Sequence, residues 1–484
     1  MTAVTRNAST PERLRPADVA SLHAERANTV QHVGGLSIFQ IPADGFDYDR
    51  LVRLLEERIA LVPRYRQRVL TVPGRLAAPV WVDDTHFDIT YHVRRSALPR
   101  PGDEQALLDV SARILSRLLD RDRPLWEMYL IEGLASDRFA VLTKTHQAMI
   151  DGVGAIDIEQ VLLDAAPRPR RTVGPVWMPA PEPGRVMLVR DAVHAALTAP
   201  LRSAAALARV GVSDGQALAR QAARATGRHL GRARPASPLI AVPGRQRRLA
   251  FARTSLADYR QVRDAQGGTV NDVALATLTG ALRAWLVGRR VELRPNESVR
   301  ALVPVTVGGQ GGIDPVVGGD VGALLVDLPV GEPDPLRRLA HIRYAMAVHR
   351  ASGRSVRADA LAGLRGFAPP TLHALGTRAA AGLTRRMFHL VVTNVPGPQQ
   401  PMYAAGARMI EMFPVLPLAA GQALSVGMTS YDGALYVGIN ADRDAAPDVA
   451  ALADAVATSL AELVTAACPP REVQHGARGP RSRR

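Results

Sequence analysis

The stretch Lys144-Thr145-His146-Gln147-Ala148-Met149-Ile150-Asp151-Gly152 ends an alternating run and opens a helical one. Before it, Arg138-Phe-Ala-Val-Leu-Thr-Lys-Thr reads as a strand that finishes at His146. After it, residues 156–166 repeat apolar side chains at helical spacing. A strand-to-helix junction presents side chains at a sheet edge, close to helix N–H groups that lack partners. His146 brings an imidazole that titrates near neutral pH, Asp151 a carboxylate, and Gly152 and Gly154 permit tight turns. On these residues alone His146 is either a reactive group or a structural histidine closing a strand.

Working outward, residues 127–134 and 138–146 form two successive strands joined by the polar turn Ala135-Ser136-Asp137. Residues 106–126 read as an amphipathic helix running into a Pro-closed turn. Helices are expected at 11–25 and at 48–63, the latter stopped by Pro63, a strand at 32–41, and strand-like pieces at 79–84 and 87–95. These make a first α/β unit, 1–166. From 167 to 246 the composition shifts to Pro, Arg and Ala, a connector whose amphipathic basic helices are expected within 185–234. A second α/β unit follows at 247–469, with strands at 247–256, 298–307, 321–330, 390–398 and within 423–442, and helices at 270–289, 334–350 and 449–467. Residues 470–484 are a basic tail.

The net charge of +15 suggests nucleic acid until it is mapped. Sixteen Arg between Arg168 and Arg253 face only Glu182, Asp191 and Asp214, and five in the tail face Glu472, so the rest of the chain is close to neutral. Neither basic segment interleaves aromatics or carries the spacing of a nucleic-acid module, so no nucleic-acid partner is expected. The strip is either a solvated linker or a surface for anionic headgroups. One cysteine, Cys468, excludes an internal disulfide, and the histidines show no metal-ligand spacing, so no metal is expected. The N-terminus has no secretory pattern, and no run approaches the roughly 20 unbroken apolar residues of a membrane span. A cytoplasmic protein is expected.

Lys144–Gly152 resembles the acyltransferase signature His-His-x-x-x-Asp-Gly of the wax ester synthase/diacylglycerol acyltransferase family, shared with chloramphenicol acetyltransferase-like and condensation domains. Other blocks agree in order: Pro124-Leu125-Trp126, Asn271-Asp272 after Gly267-Gly268-Thr269, and Asn394-Val-Pro-Gly-Pro, with Thr393 where Ser is usual. The N-terminal Leu-Arg-Pro-Ala-Asp-Val-Ala-Ser-Leu-His-Ala-Glu and the segment 424–448 agree as well. The resemblance spans about residues 12–468. It implies two chloramphenicol acetyltransferase-like domains, mixed sheets flanked by helices, with an active-site tunnel at their interface.

It further implies transfer of a long-chain acyl group from acyl-coenzyme A, a substrate with no bound cofactor, to diacylglycerol or a fatty alcohol. Such an enzyme would work peripherally at an anionic membrane or lipid droplet. The implied catalytic set is His146, Gln147 and Asp151, with Gly152, Pro124, Leu125, Trp126, Asn271, Asp272 and Asn394 around the substrates. In the family the second His is the base that takes the alcohol's proton, and here that position is Gln147. A carboxamide can orient a hydroxyl but has no usable proton affinity at neutral pH. The sequence therefore also admits a catalytically impaired paralogue that binds acyl-coenzyme A or lipid. Local alternatives stay open too: Trp126 as tunnel lining or core, Asn271 and Asp272 as site residues or helix caps, and Lys144 as a contact for coenzyme A phosphates or an idle surface charge.

Overall fold

The computed structural model describes residues 11–150, 158, 162–168, 177–194, 197, 237–307, 320–352, 356–357 and 388–468. The hairpin read from the sequence is present: β5 (Trp126–Leu134) and β6 (Arg138–His146) pair antiparallel across the turn at 135–137. On the far edge of β6 lies β1 (His32–Gln40), in a register that sets His32 opposite His146 and Gly34 opposite Lys144. Gly34 lies close under α4: a Cβ there would stand 2.8 Å from a terminal methyl of Leu115, which would have to turn aside. That close approach seats α4 (Glu104–Leu115) on the sheet. The helix starts at its cap Asp103, whose carboxylate accepts the Ala106 N–H at 2.8 Å, and stops at Ser116, well short of the predicted end at 126. Residues 87–95, expected as strand, divide into α3 (Ile89–His92), capped by Asp88, and β4 (Val93–Ala97).

The remaining first-half elements are α1 (Pro16–Ala24), α2 (Tyr48–Arg58), the strand pair β2 (Gln67–Leu70) and β3 (Val80–Asp83), and the single-turn α5 (Gln147–Ile150). Second-half helices are α6 (Leu256–Gln266), α7 (Val270–Gly288), α8 (Pro335–Ser352) and α9 (Val449–Ala467). Its strands are β7 (Arg247–Ser255), β8 (Val299–Val307), β9 (Asp320–Leu328), β10 (Val356–Arg357), β11 (Leu390–Pro396), β12 (Tyr403–Ala404), β13 (Ala407–Val415), β14 (Leu424–Tyr431) and β15 (Ala434–Asp442).

Two mixed sheets result. The second has the order β10-β9-β8-β11-β14-β15-β7, all from the second half. The first has the order β12-β13-β1-β6-β5-β4, so its β12 and β13 come from the far end of the chain. The division into units at 1–166 and 247–469 is therefore not a division of the sheets. Residues 403–415 leave the second unit and complete the first, a return that local periodicity does not reveal because strand partners are set by tertiary pairing.

The sheets meet where β13 crosses β14 and β15. Gly427 and Gly438 are register partners on those strands, and a Cβ on Gly438 would lie 2.0 Å from the Pro414 carbonyl oxygen. Each sheet has its own apolar core. By length and mean hydropathy α9 is apolar enough to cross a membrane, although Asp454 and Glu462 interrupt its apolar run, and Leu452, Val456, Leu460 and Leu463 are buried in the second core. Of the connector, a helical segment at 185–194 packs Leu188 and Ala192 on Val72, Val80 and Val82. The expected helices beyond it, and the 470–484 tail, lie outside the described residues.

Candidate active site

His146 ends β6 and is fully buried. Its backbone N–H donates to the Leu125 carbonyl at 2.9 Å, so the Pro124-Leu125-Trp126 block holds the strand end in place. The alternation of β6 sends Thr145 to one face of the sheet and Lys144 and His146 to the other.

On the Thr145 face stands Trp126, register partner of Thr145 and completely buried. Its indole N–H donates to the Tyr65 carbonyl at 2.8 Å, and its ring stacks on His92 at 4.7 Å. The Tyr65 hydroxyl accepts the Ile158 N–H at 3.0 Å, tying the segment beyond the signature to the same cluster. Trp126 is thus a core residue with its polar atom satisfied, and the tunnel-lining alternative has no support here. Pro124 and Leu125 are buried beside it.

The other face carries a buried polar row. Lys144, read as a surface lysine, is instead fully buried, and its ammonium donates to Glu127 Oε2 at 3.2 Å. Arg94 meets the other oxygen of Glu127 at 3.2 Å, and the Tyr129 hydroxyl donates to Glu127 at 3.0 Å. Burial, reinforced by Glu127, pushes the Tyr129 phenol up to about 12. A lysine committed in this way is not placed to meet coenzyme A phosphates.

His146 lies further along this row. Its Nδ1 accepts the Ala148 N–H at 3.1 Å, so the ring proton resides on Nε2, which faces Glu25 Oε1 at 3.7 Å. Glu25 follows α1, is itself buried, and is held by Arg121 at 2.9 Å and by the Gln31 N–H at 3.2 Å. Burial lowers the His146 pKa to about 4, against the opposing pull of Glu25. The imidazole is therefore neutral at pH 7, and its one lone pair is taken by a backbone N–H. Such a ring braces the strand-to-helix junction and has no free acceptor for an alcohol proton. His32, opposite it, bonds the Leu115 carbonyl through Nε2 at 2.6 Å, and burial together with the Lys144 charge drives its pKa well down.

Gln147 begins α5 and is half-buried; its N–H donates to the Gln31 carbonyl at 2.9 Å. Its side-chain amide makes no hydrogen bond among the described residues. Asp151 and Gly152 lie outside the described residues.

In the second sheet, the cap of α7 is a reciprocal box: the Thr269 hydroxyl accepts the Asp272 N–H, and Asp272 accepts the Thr269 N–H at 2.9 Å. Capping is thus the observed role of Asp272, which is fully buried. Asn271 is spared that task. Its Oδ1 accepts from Asn394 Nδ2 at 3.0 Å, joining the start of α7 to β11. Both residues are half-buried, and no further side-chain hydrogen bond is made by Asn271 Nδ2 or Asn394 Oδ1 among the described residues. The structure brings together His146 with Leu125, and Asn271 with Asn394. No hydrogen bond links these two groups among the described residues.

Sequence reasoning did not single out Glu25, Arg121, Glu127 or the ion pair of Arg58 with Asp164. The last is buried, with 2.5 Å between Arg58 Nη2 and Asp164 Oδ2, while the Asp164 backbone bridges to Tyr403 of β12. Glu127 could have been found, since the hairpin turn and the alternation set it across from Lys144. Glu25 could not, because no local pattern pairs it with residue 146.

The comparisons agree with this architecture. Residues 14–274 match the wax ester synthase/diacylglycerol acyltransferase catalytic domain, and residues 317–464 match the WS/DGAT C-terminal domain. The chain belongs to the wax ester synthase/diacylglycerol acyltransferase family, and its fold is the one that family shares with condensation domains. A probable diacylglycerol O-acyltransferase of Mycobacterium tuberculosis is 33% identical over 446 residues, covering 89% of this chain and 91% of that protein. A putative diacylglycerol O-acyltransferase of the same organism is 35% identical over 457 residues, covering 93% and 99%. Among solved structures, the wax ester synthase/diacylglycerol acyltransferase from Marinobacter aquaeolei VT8 superposes with a TM-score of 0.68 at 28% identity, covering 94% of this chain and 99% of that one. The first condensation domain of the CDA synthetase, at 18% identity and a TM-score of 0.58, shares the fold.

Proposed function

We propose that this family member transfers a long-chain acyl group from acyl-coenzyme A to the hydroxyl of a diacylglycerol or a fatty alcohol, with Gln147 positioning the alcohol. The alcohol oxygen forms the new C–O bond, the thioester C–S bond breaks, and the hydroxyl proton ends on the coenzyme A sulfur. One observation carries the role of Gln147. With the His146 lone pair occupied by Ala148, Gln147 is the adjoining signature side chain with uncommitted polar atoms. Catalysis then rests on positioning and on hydrogen bonds to the developing oxyanion, without a general base, whose removal typically costs about 10²–10⁴-fold.

The test is an acyltransferase assay on purified chain with diacylglycerol and long-chain alcohol. Slow wild-type turnover, abolished in Gln147→Ala and raised about 10²-fold or more in Gln147→His, is the expected result. A silent wild type made active by Gln147→His supports the second reading, a paralogue that binds acyl-coenzyme A or lipid without chemistry. Turnover indifferent to Gln147→Ala would refute the positioning role.

The reading includes peripheral attachment to an anionic membrane or lipid droplet on the cytoplasmic side. Its support is the 185–194 segment, which buries Leu188 and Ala192 yet leaves Val186, Met187 and Val193 exposed, with Leu197 beyond and Arg185 and Arg190 alongside. Apolar side chains flanked by guanidinium groups suit an anionic interface. Binding to phosphatidylglycerol vesicles should weaken with added salt and with Val186→Ser/Val193→Ser. Equal binding to phosphatidylcholine vesicles at high salt would rule the charge contribution out.

A further inference from the structure

A groove of about 710 Å³ lies at the edge of the first sheet, between β4, the loop that follows it and α4. From the helix it takes Ala106, Asp109, Val110, Arg113, Ile114 and, just past the last turn, Arg117. That spacing is one helical face, with an apolar floor and two guanidinium groups four residues apart. Arg95 and Arg100 stand on the opposite wall.

The charges in the groove are not balanced. Arg95 is committed to a two-point pair with Glu132, at 3.1 and 2.9 Å. Two carboxylates share the lining, Asp103, which caps α4, and Asp109, which accepts the Gln105 amide at 2.9 Å, so four guanidinium groups face two acids in the groove. Arg100, Arg113 and Arg117 form no ion pair among the described residues. Like charges four apart on a helix repel, and an anion shared between them would turn that repulsion into attraction.

The groove is also preformed. Gly102 sits at φ +74°, where a Cβ would fall 1.9 Å from the Gly133 carbonyl oxygen. Its N–H donates to the Pro99 carbonyl and its own carbonyl accepts the Ala135 N–H, so the loop is pinned to the end of β5. Behind the inner wall, Tyr129 is bonded to Glu127, whose charge is answered by Lys144 and Arg94. No uncompensated carboxylate on that wall repels an anion.

We propose that this groove binds a phosphorylated ligand of up to nucleotide size, its phosphate ester or diphosphate held by Arg100, Arg113 and Arg117. Planar guanidinium groups recognise phosphate oxygens in pairs, and the apolar floor accepts the non-ionic part of the ligand. The same anion could belong to coenzyme A or to a free diphosphate. The proposal does not depend on how, or whether, acyl transfer occurs.

The test is calorimetric titration of the purified full chain with inorganic pyrophosphate at low ionic strength. Wild type is compared with Arg113→Ala/Arg117→Ala, Arg100→Ala and a remote control, Arg443→Ala. Arg113, Arg117 and Arg443 are surface side chains, and circular dichroism checks that the variants keep their fold. The expected result is saturable binding that weakens at least tenfold in the double variant, weakens in Arg100→Ala, and is unchanged in Arg443→Ala. Displacement of pyrophosphate by coenzyme A would identify the coenzyme as the source of the phosphates, and failure to displace it a free diphosphate. Absence of pyrophosphate binding, or equal weakening in Arg443→Ala, overturns the proposal.

Discussion

His146 and Gln147 are neighbours in the chain, yet they meet different surroundings. Because β6 ends at His146 and α5 starts at Gln147, the ring goes into the core while the amide stays half-buried. This separation gives a pH signature. The folded-state pKa of about 4 lies below the ordinary histidine value, so the unfolded chain takes up the proton first as pH falls. Stability from this group is therefore intact above about pH 6.5, is lost as pH drops toward 4, and the loss is roughly 2 kcal/mol at pH 5. Urea midpoints measured at pH 7.5 and 5 should show this loss on top of that from His32, which shifts in the same direction. In His146→Asn the pH dependence should shrink by that amount. An unchanged dependence in the variant would show that the ring is open to solvent.

At the level of elements, the sequence was most informative where a pattern is local. The β5–β6 hairpin, β7, α7 and α9 are carried by alternation or helical spacing and were found within a residue or two. The end of α4 and the α3–β4 break were not, because Asp88 capping and the turn before Pro124 outweigh the apolar pattern there. The Pro-Leu-Trp and Asn-Asp blocks were legible as blocks, but not in what they do. Leu125 clamps a backbone, and Asn271 leaves capping to Thr269 and Asp272. Those roles depend on partners distant in the chain.

The crossing of β13 over β14 and β15 gives a sharper test of element packing. Gly438→Ala places a methyl group against the Pro414 carbonyl and should cost about 3 kcal/mol or more, read from the denaturation midpoint. Gly288→Ala, where a Cβ meets nothing within 4 Å, should be neutral or slightly stabilising.

For the whole molecule, the two halves are not interchangeable with two folding units. β1 pairs with β6 on one edge and with β13 on the other, and Asp164 bridges to Tyr403. A fragment of residues 1–166 should therefore expose the β1 edge and aggregate. Co-expression with a fragment that includes residues 247–469 should restore soluble material in which the two pieces copurify. Soluble, cooperatively unfolding 1–166 alone would contradict this.

The returning strand also has a consequence for biosynthesis. The ribosome finishes β1 at residue 40 and reaches β13 only at residue 407. At about 5–20 residues per second, the wait is on the order of 20–70 s. For that interval β1 offers an unpaired row of N–H and C=O groups, the kind of edge that invites pairing with neighbouring nascent chains. Yield in the cell should then depend on chaperones that shelter this edge, and on translation speed between β1 and β13, more than on the stability of the finished protein.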